Sequence, residues 1–254
     1  MCGRFALNEK PETVAEAFGL QTLEGFPPRF NIAPSQPILV VAAGEVPEKG
    51  SNDSGRRALL VRWGFIPGWV KDPNDFPMLI NARAETAHEK ASFRAAMRHR
   101  RVLIPASGFY EWRRTGEKGA KSEPYWLRPR RGGVIAFAGL METWASADGT
   151  EIDTGAILTT AANATLKPIH DRMPVVIQPE DFSRWLDCRT LEPRDVADLL
   201  KPAPDDFFEA IPVSDRVNKV SHTGADLITP VEHAVPEPEK KPDRKPDNGQ
   251  LSFF

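Results

Sequence analysis

Val102-Leu-Ile-Pro-Ala-Ser-Gly-Phe-Tyr-Glu-Trp112 holds two short runs of aliphatic and aromatic residues with Pro-Ala-Ser-Gly between them. Short apolar runs bounded by Gly and Pro are typical of β-strands. Comparable runs recur along the chain at 38–43, 58–63, 134–140, 156–160 and 175–177. Helical patterns are fewer and lie at 10–20, 92–98, 180–186 and 192–200. The sequence therefore predicts a β-rich α+β fold, with a curved, barrel-like antiparallel sheet flanked by short helices.

Composition places this sheet in one domain over residues 2–230, followed by a tail over 231–254. The polar segment 44–57 reads as a hairpin tip or surface insertion, and 26–31 as extended chain because of its prolines. Residues 231–249 contain four prolines and nine charged residues with almost no large apolar group, so we expect disorder there.

The chain has 254 residues, of which 41% are hydrophobic and 27% charged, as expected for a globular protein. No apolar run approaches the roughly 20 residues that span a bilayer, and no signal peptide precedes Cys2, so we expect a cytoplasmic protein without membrane contact. The two cysteines, Cys2 and Cys188, argue against a disulfide framework, and Cys188 reads as a buried small apolar residue. The cysteines and five histidines lack metal-ligand spacing, so we expect neither metal nor cofactor.

Charge is distributed unevenly along the chain. The net charge is −2, yet residues 83–131 contain thirteen Lys or Arg and five Asp or Glu, a local excess of +8. Such a stretch is either a phosphate-binding surface or an ordinary solvated face.

Cysteine at position 2 is the most distinctive chemical feature. Removal of Met1 by methionine aminopeptidase leaves Cys2 with a free α-amine beside its thiol. The reference pKa values of these groups are about 7.7–8.0 and about 8.5, so both are partly nucleophilic near neutrality. A 1,2-aminothiol can condense with an aldehyde to an imine and then close a thiazolidine ring. It can also act as an N-terminal nucleophile whose amine serves as the base.

Three other segments place polar residues within apolar surroundings. Asn81 and Arg83 project to the same side of an extended chain, where an amide and a guanidinium can hold a sugar and a phosphate; alternatively they cap a strand end. Glu111 stands among aromatic residues, so burial can raise its pKa for proton transfer, or it can pair structurally with an arginine. His170 lies in a tight turn before 175–177, where it suits general acid or base chemistry, although most histidines are not catalytic.

Proline and tryptophan at loop tips form a further pattern. Pro34 ends the segment 30–34 and Trp69 follows Pro-Gly, so both can wedge between or stack on nucleobases. Core packing is the alternative, which we favour for Trp63 but not for Trp69.

These segments together resemble the SRAP family (SOS response-associated peptidase, or abasic-site processing proteins). The matching motifs, in order, are residues 1–5 (MCGRF), 30–34 (FNIAP), 63–69 (WGFIPGW), 81–86 (NARAET), 108–112 (GFYEW), 169–174 (IHDRMP) and 211–218 (IPVSDRVN). They extend over nearly the whole predicted domain.

The resemblance implies recognition of abasic sites in single-stranded DNA and a lyase-type covalent reaction. Cys2 would be the nucleophile that forms a thiazolidine with the ring-opened sugar aldehyde, which shields the lesion during replication. Asn81 would orient the reacting groups, and Glu111 would move protons during imine formation and reversal. His170 would promote sugar ring opening and β-elimination-type proton transfers. The implied DNA contacts are Arg4 and Arg83 on the flanking phosphates, and Pro34 and Trp69 as base-stacking wedges.

The last five residues, Gln250-Leu251-Ser252-Phe253-Phe254, are similar to the peptide that binds the bacterial sliding clamp, with Phe253 where Leu is common. We expect residues 231–249 to tether the domain to the replication clamp and hence to the nucleoid.

Two rival functions remain open. One is an N-terminal cysteine peptidase or hydrolase, with possible self-removal of residues before Cys2. The other is a noncatalytic single-strand binder in which Cys2 is incidental. Only the covalent abasic-site reaction uses both the wedge residues and the polar residues expected around Cys2.

Overall fold

The computed structural model describes residues 2–45, 54–114 and 122–232. Within these ranges the chain forms mostly short β-strands. They are β1 Phe5–Leu7, β2 Arg29–Ile32, β3 Pro37–Ala43, β4 Arg56–Trp63, β5 Asn81–Arg83, β6 Arg101–Ala106, β7 Gly108–Arg113, β8 Glu123–Pro129, β9 Ile135–Ala145, β10 Glu151–Ala161, β11 Arg172–Pro174, β12 Val176–Ile177 and β13 Phe208–Pro212. The α-helices are α1 Pro11–Phe18, α2 Arg94–His99 and α3 Phe182–Leu186, and 3₁₀ turns occupy Pro73–Asp75, Pro179–Asp181, Pro193–Leu199, Asp215–Asn218 and Ala225–Ile228.

Five strands close into a barrel in the order β10-β4-β3-β6-β9 and back to β10. This confirms the predicted β-rich, barrel-like α+β fold. The expectation of a wholly antiparallel sheet is wrong at two pairs, because β4 and β5 both run parallel to β10. Long stretches of chain separate these partners, so a hairpin does not fix their direction. The barrel interior and the helices packed on it form one large apolar core that includes Trp63, which is fully buried as expected.

A second sheet lies beside the barrel in the order β13-β8-β7-β1-β2. The stretch 101–113 joins the two sheets, because β6 belongs to the barrel and β7 to the second sheet, with only Ser107 between them. At Gly108 a Cβ would collide with the carbonyl oxygen of Leu127 and lie 2.7 Å from the Trp126 ring, so only glycine allows this close approach. The second sheet holds the amino-terminal segment in place, because β1 pairs with both β2 and β7.

The predicted strands are all present, although most extend one to five residues further than expected. Residues 44–55 connect β3 and β4, which are antiparallel with Ala43 opposite Arg56, so the prediction of a hairpin within 44–57 is confirmed, with Arg56 and Arg57 already in β4. Residues 46–53 lie outside the described residues. Helix α1 lies within the predicted range 10–20 and is followed by Gly19 in the left-handed conformation (φ 63°), which ends the helix.

The predicted helix over 192–200 is wrong in type. Pro193–Leu199 forms 3₁₀ turns, in which Asp195 N–H donates to Glu192 O and Leu200 N–H to Ala197 O. A capping box between Glu192 and Asp195 closes its first turn, so short i to i+3 bonds replace an α-helical ladder. Cys188 also differs from expectation: it lies half-buried after α3 rather than inside the core.

No helix in the described ranges is long and apolar enough to cross a membrane. The described chain also has no group of three or more His, Cys, Asp or Glu that could hold a metal ion. Residues 233–254, with the expected disorder and the clamp-like peptide, lie outside the part that the structure describes.

Candidate functional site

Cys2 lies immediately before β1 and is completely buried. Asn81 Nδ2 donates to the Cys2 carbonyl oxygen at 2.9 Å, and Cys2 Sγ lies 3.9 Å from the carbonyl oxygen of Arg4. Burial raises the pKa of the Cys2 thiol well above its usual range, and the negative charge of Glu111 raises it further. The thiol therefore stays protonated near neutrality, so any reaction in which it acts as a nucleophile needs a group that accepts its proton.

Glu111 is a titratable group whose negative charge acts on the Cys2 thiol. Strand β1 pairs with β7, with Phe5 opposite Phe109 and Ala6 opposite Gly108. The Tyr110 N–H donates to the Arg4 carbonyl oxygen, so the pairing continues toward the amino terminus. This register places Glu111 opposite Gly3, the residue next to Cys2. Only 2% of Glu111 is exposed, and burial raises its pKa to about 7. The positive charge of the amino terminus acts in the opposite direction. A carboxyl with this pKa can both accept and donate a proton at neutral pH, as the sequence suggested for a glutamate among aromatic residues.

Asn81 begins β5, which runs parallel to β10 with Asn81 opposite Ile157. Its Nδ2 donates to the Cys2 carbonyl oxygen, whereas its Oδ1 is buried and has no hydrogen-bond partner among the residues that the structure describes. Ala82 points into the core, so the strand places Asn81 and the exposed Arg83 on the same side, as predicted. The arrangement holds the Cys2 carbonyl and leaves an acceptor oxygen available for a donor.

His170 lies in the turn before β11, a strand that the sequence did not predict. The backbone N–H of Arg172 donates to His170 Nδ1 at 2.9 Å, and Asp171 Oδ1 lies 3.1 Å from the same nitrogen. Burial lowers the pKa of His170, the amino terminus lowers it further, and Asp171 partly offsets both effects. Because the amino terminus acts on both His170 and Glu111, the two groups belong to one electrostatic environment.

Arg4 is fixed by groups far away in the sequence. Its NH1 donates to Asn31 Oδ1 at 2.7 Å and to the carbonyl oxygen of Val217 at 2.8 Å, and its guanidinium stands 5.9 Å from the centre of the Trp112 ring. Arg4 Nε is buried and lacks a partner within the described ranges. An anionic oxygen could use this donor.

Asn31 is the residue that sequence reasoning missed. It is 4% exposed, and its Nδ2 donates to the carbonyl oxygens of Val217, Lys219 and His222 at 3.3, 3.1 and 2.9 Å. It therefore holds both Arg4 and the closing segment 217–222. The available signal was a polar residue inside the otherwise apolar 30–34 motif, but its partners lie almost 190 residues further along the chain.

Pro34 and Trp69 lie in different loops. Pro34 is half-buried after β2, next to Ser35, which has φ 70° and whose N–H donates to Trp63 O at 2.7 Å. Trp69 is 59% exposed, with its ring edge against Phe76 at 5.5 Å and its Nε1 3.4 Å from Ala91 O. Trp69 thus presents an aromatic face outside the core, as expected.

The basic stretch 83–131 is less available than its charge suggests. Arg101 is buried and donates to the backbone carbonyls of Trp185, Met97, Asp187 and Leu191. Four other arginines of the stretch pair with glutamates, three of which lie outside it: Arg98 with Glu192, Arg100 with Glu142 and Arg128 with Glu209, whereas Arg113 pairs with Glu123 within the stretch. Arg101 is therefore directed at backbone carbonyls, and carboxylates offset part of the positive charge of the other four arginines.

Comparisons with known proteins place these features in context. Residues 1–220 match the family model described as SOS response associated peptidase (SRAP). The chain is 38% identical over 231 residues to the abasic site processing protein YoqW of Bacillus subtilis, covering 90% of this chain and 99% of that protein. It is 30% identical over 239 residues to the abasic site processing protein YedK of Escherichia coli, covering 91% and 100%.

Solved structures agree with the fold. A crystal structure of a protein from Bacteroides thetaiotaomicron superposes with a TM-score of 0.77 at 24% identity, covering 91% of this chain and all of that one. A protein from Bordetella bronchiseptica superposes with a TM-score of 0.69 at 28% identity, covering 84% and 100%.

Proposed function

This chain belongs to the SRAP family, and from that premise we propose that it processes abasic sites in single-stranded DNA by forming a covalent thiazolidine through Cys2. Its similarity to proteins named abasic site processing proteins supports the lesion as substrate. The observation that carries the proposal is the buried Cys2 beside Glu111, whose pKa is about 7, with Asn81 on its carbonyl oxygen.

The chemistry needs no oxidant or cofactor. After Met1 is removed, the Cys2 amine attacks the aldehyde of the ring-opened sugar, and loss of one water gives an imine. The thiol then adds across the carbon–nitrogen double bond: sulfur bonds to the carbon, and the nitrogen receives the thiol proton. This closes the five-membered ring.

Glu111 is suited to move that proton. The Cys2 thiol is held neutral by burial, so its proton must be accepted as sulfur attacks. A carboxyl that is half ionised near neutrality accepts it and returns it to nitrogen, and the same steps in reverse release the adduct. Asn81 fixes the Cys2 carbonyl and hence the direction of the amine. His170, whose pKa the amino terminus also lowers, assists opening of the sugar ring and the β-elimination-type proton transfers.

We assign the DNA contacts to four further residues. Arg4 offers its buried Nε, and exposed Arg83 follows Asn81 on β5, so both can bind phosphates that flank the lesion. Pro34 and Trp69 provide apolar faces for the neighbouring bases, with base stacking on an aromatic ring contributing about 1–3 kcal/mol.

A denaturing gel tests the proposal. Mature protein mixed with a single-stranded oligonucleotide that carries one abasic site should give a slowly migrating adduct, and an oligonucleotide with an intact base should give none. Cys2→Ala, or any residue kept before Cys2, should abolish the adduct. An adduct that survives Cys2→Ala, through a lysine imine for example, contradicts the mechanism. Binding without any adduct favours a noncatalytic single-strand binder.

A cysteine peptidase is the second candidate, and the family description is the observation that favours it. Because Met1 is joined directly to Cys2, cleavage of the chain's own leading residue is the reaction of this kind that needs no polypeptide substrate to enter the site. Mass spectrometry of wild type, Cys2→Ser and Glu111→Gln tests this self-cleavage, with all three proteins produced in cells whose methionine aminopeptidase is inhibited. Wild type that loses Met1 under these conditions supports self-processing.

We also propose that the peptide Gln250, Leu251, Phe253 and Phe254 binds the replication sliding clamp, on the basis of the sequence alone. A fluorescent peptide of residues 246–254 should bind purified clamp at micromolar concentration, and Gln250→Ala with Phe254→Ala should abolish binding. Equal affinity of the two peptides refutes the assignment.

A further inference from the structure

The turn that carries His170 is held by Arg172 in two ways. The Arg172 backbone N–H donates to His170 Nδ1 at 2.9 Å. Its guanidinium reaches across to Glu85, with NH1 2.7 Å from Oε1 and NH2 2.8 Å from Oε2, and NH2 also donates to the Thr159 carbonyl oxygen at 2.6 Å. A two-pronged contact of this kind fixes both the position and the plane of the guanidinium.

The contacts of the Arg172 guanidinium with Glu85 and Thr159 link three strands. Glu85 stands two residues after β5, which carries Asn81, and Thr159 belongs to β10. The Thr159 carbonyl oxygen accepts both the Arg172 guanidinium and the Ala84 N–H, so β5, β10 and β11 meet at this oxygen. Glu85 thereby fixes the His170 turn relative to the strand that positions Asn81.

The backbone bond determines which ring nitrogen of neutral His170 carries the proton. An N–H can only donate, so Nδ1 must offer its lone pair to Arg172, and the neutral ring then carries its proton on Nε2. The opposite tautomer would place Nδ1–H toward Asp171 Oδ1, at 3.1 Å, and Arg172 O, at 3.3 Å, and would lose the Arg172 N–H bond. Of these three groups the Arg172 N–H lies nearest to Nδ1, and the guanidinium contact holds the backbone that carries it.

We propose that Glu85 is a positioning residue for His170, which acts through Arg172 to hold the neutral imidazole as the Nε2–H tautomer. In that state His170 is a hydrogen-bond donor at Nε2 rather than a base. The consequence for the reaction rests on the proposed function. His170 would donate a hydrogen bond from Nε2 to the sugar oxygen as the sugar ring opens.

The exposure of Glu85 allows its effect on the position of the His170 turn to be tested apart from its effect on folding stability. The Glu85 side chain is 48% exposed, whereas that of Arg172 is 13% exposed. The hydrogen bonds from Arg172 lower the pKa of Glu85, so its carboxylate is ionised throughout the neutral range. Ion pairs with an exposed partner contribute little to folding stability, so loss of the Glu85 carboxylate should leave the melting temperature nearly unchanged while it releases the turn.

Nitrogen-15 NMR of the histidine rings in the mature protein tests the proposal without DNA. Wild type at neutral pH, with the His170 signals assigned through His170→Ala, should show Nδ1 unprotonated and Nε2 protonated. Glu85→Ala should shift both signals toward a mixture of tautomers, with a smaller shift in Glu85→Gln. The matched control Glu89→Gln, four residues further on and 71% exposed, changes the contact with His88 but should leave the His170 signals as in wild type. Unchanged His170 signals in Glu85→Ala overturn the proposal.

A kinetic double-mutant comparison tests the link to the reaction. Glu85→Ala should slow adduct formation with abasic single-stranded DNA about tenfold, a part of what a positioned proton donor contributes. In the His170→Ala background, Glu85→Ala should cause no further loss. An equal tenfold loss in that background shows that Glu85 acts independently of His170 and overturns the proposal. Absence of an adduct in wild type instead refutes the proposed function and leaves the NMR result to decide the tautomer.

Discussion

Replacing Glu111 by Gln should stabilise the folded chain at alkaline pH. The pKa of Glu111 is about 7 in the folded chain, against an ordinary value of 4.5. Between these two pH values the folded chain keeps a proton here that the unfolded chain releases. The free energy of unfolding of the wild type therefore falls as pH rises through this window and stays lower above it.

The size of the effect follows from the two pKa values. Their difference is about 2.5 pKa units, and each unit corresponds to about 1.4 kcal/mol, so the loss amounts to about 3 kcal/mol at pH 8. Glutamine has no proton to release and avoids this loss. Differences in packing between the two side chains do not depend on pH, so they move the whole curve without changing its shape.

Urea unfolding of wild type and Glu111→Gln at pH 4.5, 6 and 8 measures the effect. The stability of the variant relative to wild type should rise by about 3 kcal/mol from the lowest to the highest pH. The control Glu151→Gln replaces an exposed glutamate at the start of β10 and should show no such rise. A stability difference between wild type and Glu111→Gln that is constant over this range refutes the reasoning about burial. The same variant should form the covalent adduct more slowly, because it cannot accept the thiol proton.

Three further outcomes are expected. Arg101→Met should lower the free energy of unfolding by about 3 kcal/mol or more, because it leaves four backbone carbonyls without their donor, and urea unfolding measures this. Trp69→Ala should weaken binding of single-stranded DNA by about 1–3 kcal/mol, measured by fluorescence anisotropy, with an unchanged melting temperature. Folded protein that retains Met1 should resist methionine aminopeptidase, whereas a peptide of residues 1–10 should be cleaved, because Cys2 is completely buried; mass spectrometry follows both.

A specific result would contradict each of these three predictions. A change in the Arg101 variant below 1 kcal/mol would mean that water replaces the guanidinium donors. A Trp69 variant that binds DNA normally would remove the stacking role. Rapid cleavage of folded protein would show that the segment before β1 opens readily.

The barrel strands could be predicted because each of the longer ones contains an apolar run that is typical of a β-strand. Residues 102–104, 134–140 and 156–160 are apolar runs that remain strands whatever their partners are. The three-residue strands β1, β5 and β11 have no such signal, since pairing with distant strands determines them. The parallel direction of β4 against β10 is likewise a property of the assembled barrel.

The site was predictable where a polar residue interrupts an apolar segment, as Glu111 does. The supporting contacts were not, because their partners are remote in sequence. Asn31 contacts the carbonyl oxygen of Val217, and Glu85 contacts Arg172. Arg101 shows the reverse: its position in a basic stretch suggested phosphate binding, yet the fold buries it against backbone carbonyls.

The most direct test of the central claim is peptide mapping of the purified adduct by mass spectrometry after protease and nuclease digestion. We expect one modified peptide that begins at Cys2 and carries the sugar remnant minus one water. Both its amine and its thiol should be consumed, so that iodoacetamide does not alkylate the sulfur and borohydride does not reduce the linkage. A remnant on a lysine, or a Cys2 peptide whose thiol still reacts with iodoacetamide, would contradict this claim.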